Sequence, residues 1–308
     1  MLLPIGNRDK KSNAERIVAV DSDCYNLGYM NLKRTLTFCI HTRNRFWQLS
    51  KTLPKNLGDN HRDRQQVNFV LVDFESSDQT VTWVTQSFPE YLASGFLSLF
   101  RAPALEPYQR SLAKNTSLSQ GTGDILTNLD SDNFTGPRGG LHVLNVFRSH
   151  TGPIVYHQCS RAGNGSTGRI STLREHFYGV GGYDERFQPY GYEDHDFIRR
   201  VVAKYGALVV PQKISRTRRI WNAVRWKGIF ANRFNRAVPN ERPANDDDLA
   251  PDWEEMNAAN HLLSIQNLRA GKLVANSGNV GAPKVWKYTD GEFVEQVHVT
   301  ERTPAVVG

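Results

Sequence analysis

Four clusters of side chains in this chain have the types and spacing to do chemistry: Glu193-Asp194, Asp130-Ser131-Asp132, Asp73, and Thr42-Arg43-Asn44-Arg45. Glu193 and Asp194 open a helical pattern in which Phe197, Ile198, Val201 and Val202 share one face. The positive end of a helix dipole favours carboxylates there. An acid so placed can accept a proton from a bound hydroxyl, or Asp194 can simply cap the helix. Ahead of the pair run Val180-Gly181-Gly182-Tyr183-Asp184-Glu185-Arg186-Phe187 and Pro189-Tyr190-Gly191-Tyr192. Aromatic rings set among glycines offer flat faces on which a sugar ring can stack. An Asp-x-Asp turn presents hard oxygens to Mg²⁺ or Mn²⁺, although a lone instance also serves to cap a turn. Arginine offers a fixed fork of donors that suits a diphosphate, and Thr-Arg-Asn-Arg also reads as a helix start with surface cations. An Asp closing a buried strand, as Asp73 does, can take ribose hydroxyls or a base N–H.

These clusters need elements to hold them. Leu36 to Ile40, Val67 to Asp73, Gly95 to Phe100, Ile125 to Leu129, Pro153 to Tyr156 and Ala207 to Val210 read as short buried strands. Arg45 to Leu57, Thr80 to Phe88, Ser111 to Gly121, Pro137 to Phe147 and Asp194 to Tyr205 read as helices. Pro54 is expected to end the first helix early, and Pro137 to sit at the first position of the fourth. Strands alternating with helices predict an α/β domain with a mainly parallel central sheet flanked by helices. In such sheets ligands bind at the carboxyl ends of the strands, where His41-Thr42-Arg43, Asp73 and Asp130 all fall. The organisation read from this pattern is an irregular lead-in over 1–33, a catalytic domain over 34–239 and a small extension over 240–308. The extension begins with an exposed connection or acidic helix start over 240–255 and ends in a hairpin over 284–299, turned at Asp290-Gly291. Its Asn257 and Asn260 suggest no chemistry by their spacing, so it reads as a brace for the catalytic domain.

The 308 residues carry 38 Lys+Arg against 31 Asp+Glu, a formal charge of +7, with 39% hydrophobic and 22% charged residues. This composition excludes collagen, a coiled coil and a mostly disordered chain. No window approaches the roughly 18 uncharged apolar residues of a spanning helix. The N-terminus shows no basic region followed by an apolar one, so no secretory signal is expected. Cys24, Cys39 and Cys159 form no CxxC pair and read as reduced thiols. Eight cations and no acid lie between Lys213 and Arg236, interleaved with Trp221, Trp226, Phe230 and Phe234. This stretch reads as a solvated basic face, a lid over a phosphate, or a contact with an anionic membrane surface. No nucleic-acid-binding motif accompanies it, so nucleic acid is not an expected partner.

From about 34 to 212 the chain resembles the GT-A fold glycosyltransferases of the family 2 type, with a flavour of the β-1,4-galactosyltransferase and chondroitin-polymerase-like subset. The matching residues are Thr42-Arg43-Asn44-Arg45, Val72-Asp73, Lys114-Asn115, Gly123-Asp124 to Asp132, and Gly181 to Phe197. The resemblance implies an inverting transfer of a hexose or N-acetylhexosamine from a nucleotide sugar, UDP-linked by family weight, to a glycan or glycolipid hydroxyl. It implies that Thr42, Arg43, Arg45 and Asp73 hold the nucleotide, with Lys114 and Asn115 near the donor diphosphate or ribose. Asp130 and Asp132 would serve donor and metal, Mn²⁺ or Mg²⁺, with Asp132 the direct ligand. Asp194 would be the base, and Tyr190, Gly191, Tyr192 and Glu193 would meet the acceptor. A cytoplasmic place, with peripheral contact at the inner face of a membrane, is the matching expectation.

The sequence departs from the pattern twice. Relatives often supply a His ligand after the Glu-Asp motif, and here no His occurs between His195 and His261. Phe74-Glu75 also stands where many relatives have Asp-Gly. The competing readings are a non-catalytic nucleotide-sugar-binding protein of the same fold and a sugar nucleotidyltransferase. Thr42-Arg43-Asn44-Arg45 lacks the glycines the latter usually carries.

Overall fold

The computed structural model describes residues 34–159, 167–212, 218–219 and 253–296. The lead-in 1–33, the basic stretch beyond Arg219, and the connection 240–252 lie outside the described residues.

Strand β1 (Leu36–Thr42) and β2 (Val67–Asp73) are almost wholly apolar and buried. They pair in parallel from Leu36 opposite Val67 to Thr42 opposite Asp73. Strand β3 (Leu97–Arg101) adds in parallel beside β2, and β4 (Ile125–Asn128) in parallel beside β1. That register brings the carboxyl ends of β1, β2 and β4 to one edge, and the residues just beyond them form the site. The strands β6 (Ile154–His157), β7 (Ile170–Leu173), β8 (Leu208–Pro211), β10 (Val285–Thr289) and β11 (Glu292–Gln296) complete a sheet ordered β11-β10-β3-β2-β1-β4-β7-β6-β8. Parallel pairing at the centre follows the pattern in the sequence. The flanks are antiparallel, because β7 runs against both β4 and β6, and β10 against both β3 and β11. A short pair, β5 (Asn133–Phe134) with β9 (Arg218–Arg219), follows the Asp-x-Asp turn.

Helices cover both faces. On one face α1 (Phe46–Asn60), α2 (Thr80–Ser87) and α5 (Gly139–Arg148) cover Phe38, Ile40, Phe69 and Leu71 with Leu49, Leu53, Leu57, Val143 and Phe147. On the other, α4 (Arg110–Ser119), α6 (Arg174–Gly179) and α7 (Glu193–Tyr205) cover Cys39, Leu126, Val155 and Ile170. A one-turn helix α3 (Pro89–Ala93) links α2 to β3, and α8 (Trp253–Arg269) packs against α7.

Two boundaries differ from the pattern. The first helix runs through Pro54 to Asn60. Proline removes one helical hydrogen bond and costs about 3 kcal/mol, but Pro54 is on the exposed side while Leu49, Leu53 and Leu57 are fully buried. Four-residue packing against the sheet therefore wins over the local break. The helix expected from Pro137 begins instead at Gly139, because Arg138 takes a left-handed conformation (φ 50°) and is tied to Asp63 by two hydrogen bonds. The hairpin forms as expected, with positive φ at both Asp290 and Gly291, as a two-residue type I′ turn requires.

Candidate active site

The acid pair stands where α7 begins. Tyr192, just before it, is left-handed (φ 66°), and no side chain caps the helix. Asp194 is therefore not a cap, and the capping alternative is set aside. Its carboxylate meets Lys114 of α4, whose Nζ donates to Asp194 Oδ1 at 2.7 Å and to Glu193 Oε1 at 2.8 Å. Lys114 is 2% exposed. A buried ammonium must be paired, which is why this lysine turns onto the two carboxylates. Burial works against its charge, but Asp194 and Glu193 together hold its pKa well above the ordinary lysine value. The two acids diverge. Burial raises both, yet for Glu193 the charges of Lys114 and Arg110 outweigh it and the pKa falls. For Asp194 burial prevails over Lys114, with Glu193 adding to it, and the pKa rises to about 6. Two carboxylates driven apart in this way suit one base and one permanently charged partner.

Asn115, the next residue on α4, holds the loop that delivers the pair. Its Nδ2 donates to the Tyr183 carbonyl at 2.8 Å and to Glu185 Oε1 at 2.7 Å, and its Oδ1 accepts from the Tyr183 N–H. The amide is fully engaged within the protein, so Asn115 acts as a strut and has no free donor for a ligand. Gly182 is left-handed (φ +64°), and a Cβ there would lie 2.5 Å from Asn115 Oδ1, which explains a glycine at that position. Tyr190 lies under the Arg110 guanidinium, 4.0 Å from its ring centre. Tyr192 stacks on His261 of α8 at 4.3 Å. Gly191 lies between them with φ +95°.

The opposite wall is the sheet edge. Thr42 and Asp73 are paired neighbours at the ends of β1 and β2, both buried. Thr42 Oγ1 has no hydrogen-bond partner among the described residues, and neither has Asp73 Oδ1. Asp73 Oδ2 accepts from the Ser76 N–H at 3.0 Å. Burial, the largest influence, raises the Asp73 pKa. Arg43 donates to the Leu105 carbonyl and the Glu106 carboxylate, tying the end of β1 to the 105–106 segment. Arg45 precedes α1, and its carbonyl accepts from Gln48 and Leu49. His41 faces this space too. Its Nδ1 lies 2.8 Å from the Tyr108 hydroxyl and its Nε2 3.8 Å from Asp130 Oδ1. Burial lowers its pKa to about 4, so it is neutral near pH 7.

Asp130 and Asp132 sit on a turn closed by the Asn133 N–H on the Asp130 carbonyl. The Asp130 side chain is 30% exposed and accepts from Asn128 Nδ2 at 3.1 Å. Asp132 accepts from Asn133 Nδ2 at 2.6 Å. The charge of Asp130 acts on both Lys114 and Asp194, so this turn lies within electrostatic reach of the acid pair. Among the described residues no group of three His, Cys, Asp or Glu side chains gathers around a common point. Two carboxylates nevertheless fit a small divalent ion of the kind that is held by one or two acids together with substrate phosphates and water. His195, which could have replaced the missing ligand, is exposed beside Tyr192, and His261 is under the Tyr192 ring.

Residues 162–243, which include the glycine loop and Glu193-Asp194, match the family described as "Glycosyltransferase like family 2". The mannosyltransferase PcManGT of Pyrobaculum calidifontis, solved with GDP-mannose and Mn²⁺, superposes with a TM-score of 0.51 at 18% identity, covering 81% of this chain and 80% of that one. The chain has the GT-A fold, and its 162–243 segment resembles the family 2 glycosyltransferases. Glucosyl-3-phosphoglycerate synthase from Mycobacterium tuberculosis is also similar, with a TM-score of 0.47 at 14% identity over 88% of this chain and 90% of that one. The 1–349 fragment of S. aureus TarS follows at 0.46 and 15% identity, and the match spans 58% of each chain, a little over half of the fragment. No curated protein matches by sequence at a significant level.

Within this GT-A frame the residues singled out by the sequence fall into the two groups described above, and contacts that the sequence did not signal join them. His41 stood inside a quoted motif with no role assigned. Gln109 caps α4 and also donates to the Glu185 and Phe187 carbonyls, at 2.9 and 3.1 Å. Asn276 donates to the Gly181 and Tyr183 carbonyls, at 2.7 and 2.6 Å. These are contacts between distant segments, and no local spacing signals them. No helix among the described residues is long and apolar enough to cross a membrane. The basic aromatic stretch proposed for a lid or a membrane contact falls largely outside the described residues.

Proposed function

We propose that this protein is an inverting glycosyltransferase that moves a hexose or N-acetylhexosamine from a nucleotide sugar to a hydroxyl of a glycan or glycolipid. One observation carries this reading: the buried Lys114 bridge holds Glu193 and Asp194 at the start of α7, within electrostatic reach of Asp130. Acids with divergent proton affinities lie opposite a wall with hydrogen-bonding groups left open. UDP is the family-weighted nucleotide, and the mannosyltransferase neighbour, which holds GDP-mannose, keeps GDP in the comparison.

The donor's nucleoside lies against Thr42 and Asp73, whose unpaired Oγ1 and Oδ1 accept or donate to ribose and base. Arg45 adds positive charge toward the diphosphate, while Arg43 fixes the end of β1. Asp132, with Asp130, is positioned to hold Mn²⁺ or Mg²⁺. That ion, when bound, spreads the negative charge that builds on the departing diphosphate. Tyr190, Gly191 and Tyr192 line the acceptor side. Asp194 takes the proton of the acceptor hydroxyl as the oxygen bonds to the anomeric carbon. The bond to the diphosphate oxygen breaks on the opposite face, and the diphosphate leaves with the electron pair. Glu193, charged throughout, accepts a second hydroxyl of the acceptor and orients it. Lys114 keeps both acids in place and steadies Asp194 while it is ionised.

The reading is tested by release of nucleoside diphosphate from a panel of UDP- and GDP-sugars with Mn²⁺, Mg²⁺ or EDTA. Metal-dependent release from one donor, accelerated by an oligosaccharide or glycolipid acceptor, is expected. Nucleotide binding without release from any donor–acceptor pair would favour a non-catalytic binding protein. Absence of nucleotide binding would overturn the donor site.

A further inference from the structure

Asn260 lies on α8, beyond the family-matched segment 162–243. It is 2% exposed, and its side chain is spent on the chain that leads into Glu193-Asp194. Its Oδ1 accepts from the Gln188 N–H at 2.8 Å. Its Nδ2 faces three carbonyls of the same loop: Gly191 at 2.8 Å, and Gln188 and Tyr190 at 3.2 Å each. An asparagine has one acceptor and two donor hydrogens, so this side chain replaces the backbone pairing that a turn of four residues lacks. Asn257, Asn260 and His261 follow the i, i+3, i+4 spacing that puts them on one side of the helix. A Cβ on Gly191 would lie 2.8 Å from Asn257 Cβ, so the loop touches α8 at backbone distance. His261 stacks on Tyr192, the last residue before Glu193. From the other side the Gln109 side chain and the Arg110 N–H bind the carbonyls of Glu185, Phe187 and Pro189.

We propose that Asn260 is a positioning residue for transfer: it fixes the 188–192 loop so that Tyr192 and the Glu193-Asp194 pair meet the acceptor at the right height. The proposal rests on the glycosyltransferase reading above. It assigns the C-terminal segment a part in acceptor engagement, because that loop is held between α4 and α8. Among the described residues the hydrogen bonds of Asn260 go to the 188–191 loop and none to β1, β2 or β4, so donor binding is separate from this clamp.

The test compares wild type with Asn260→Ala, Asn260→Asp, His261→Ala and the exposed control Leu262→Ala, which is 62% accessible on the same helix. Each is measured for nucleotide affinity, acceptor KM, kcat, and hydrogen exchange over residues 186–196. For Asn260→Ala, exchange in that segment is expected to quicken, kcat to fall by about tenfold or more, and nucleotide affinity to stay within about twofold, since small misplacements of reacting groups cost rate steeply. Asn260→Asp keeps the acceptor and loses the donors, so it is expected to fall nearly as far. His261→Ala is expected to raise acceptor KM alone, and it carries the test if the Asn260 variants do not fold. Unchanged kcat and acceptor KM in folded Asn260 variants overturn the proposal, as does an equal loss of nucleotide affinity. A wild-type protein with no transferase activity sinks the functional reading instead, and the two failures are thereby distinct.

Discussion

The two walls of the site are finished to different degrees. On the loop wall, Asn115, Asn260 and Asn276 engage their amides with main chain of 181–191, and Lys114 holds both acids. On the sheet wall, Thr42 Oγ1, Asp73 Oδ1 and His41 Nε2 are buried with no hydrogen-bond partner among the described residues. Buried polar groups without partners cost about 1–3 kcal/mol each. The difference matches the proposed division of labour: the 181–191 loop is tied within the protein, whereas the sheet edge keeps groups that the proposed donor would engage.

Breaking the loop wall has the largest expected effect. Lys114→Met leaves Glu193 and Asp194 buried without their cation, and loss of one partner of a buried pair costs about 3–5 kcal/mol. Urea unfolding is expected to show a loss of that order. Preserved stability would mean that the acids are not confined as described. Removing the sheet-wall acid Asp132 acts on binding instead. Asp132→Ala is expected to keep its melting temperature and to weaken nucleotide binding about tenfold or more in Mn²⁺, with little change in EDTA. Equal affinity under both conditions would remove Asp132 from the metal site.

The pH profile sharpens the same contrast. The pKa of Asp194 is raised to about 6, chiefly by burial, and the proposed base works only when ionised. kcat is therefore expected to be level above pH 6 and to fall by about tenfold per unit below it. A limb that stays near the ordinary carboxylate range would assign it to another group. The smallest effect belongs to Thr42→Val. The hydroxyl makes no hydrogen bond among the described residues, so its removal is expected to leave stability unchanged and to weaken nucleotide affinity by a few-fold. A clear drop in melting temperature would show that the hydroxyl already has a partner.

How much of this was legible in the sequence follows from the range of each interaction. The strands β1, β2 and β4 and the helix α7 declare themselves through local runs and periodicity, and with them the sheet edge, the Asp-x-Asp turn and the acid pair. Strand β7 did not, because Ser171 and Thr172 interrupt any apolar run in Ile170–Leu173. The passage of α1 through Pro54 depends on burial of Leu53 and Leu57 against the sheet, which local propensity does not contain. Lys114 and Asn115 were singled out through the family resemblance alone. That they face Glu193, Asp194 and Tyr183 is a contact across some 70 to 80 residues. The clamp of Asn260 on Gln188 spans a similar distance, and nothing near Asn260 in the chain points to it.

The most direct test of the central claim is to measure donor binding and turnover together in Asp194→Asn, once the wild-type donor is known. Nucleotide-sugar affinity is expected to be unchanged, because the sheet wall is untouched, while turnover falls by about 10² to 10⁴-fold, the usual worth of a positioned base. Near-normal turnover in a folded Asp194→Asn protein would contradict the assignment of Asp194 as the group that takes the acceptor's proton.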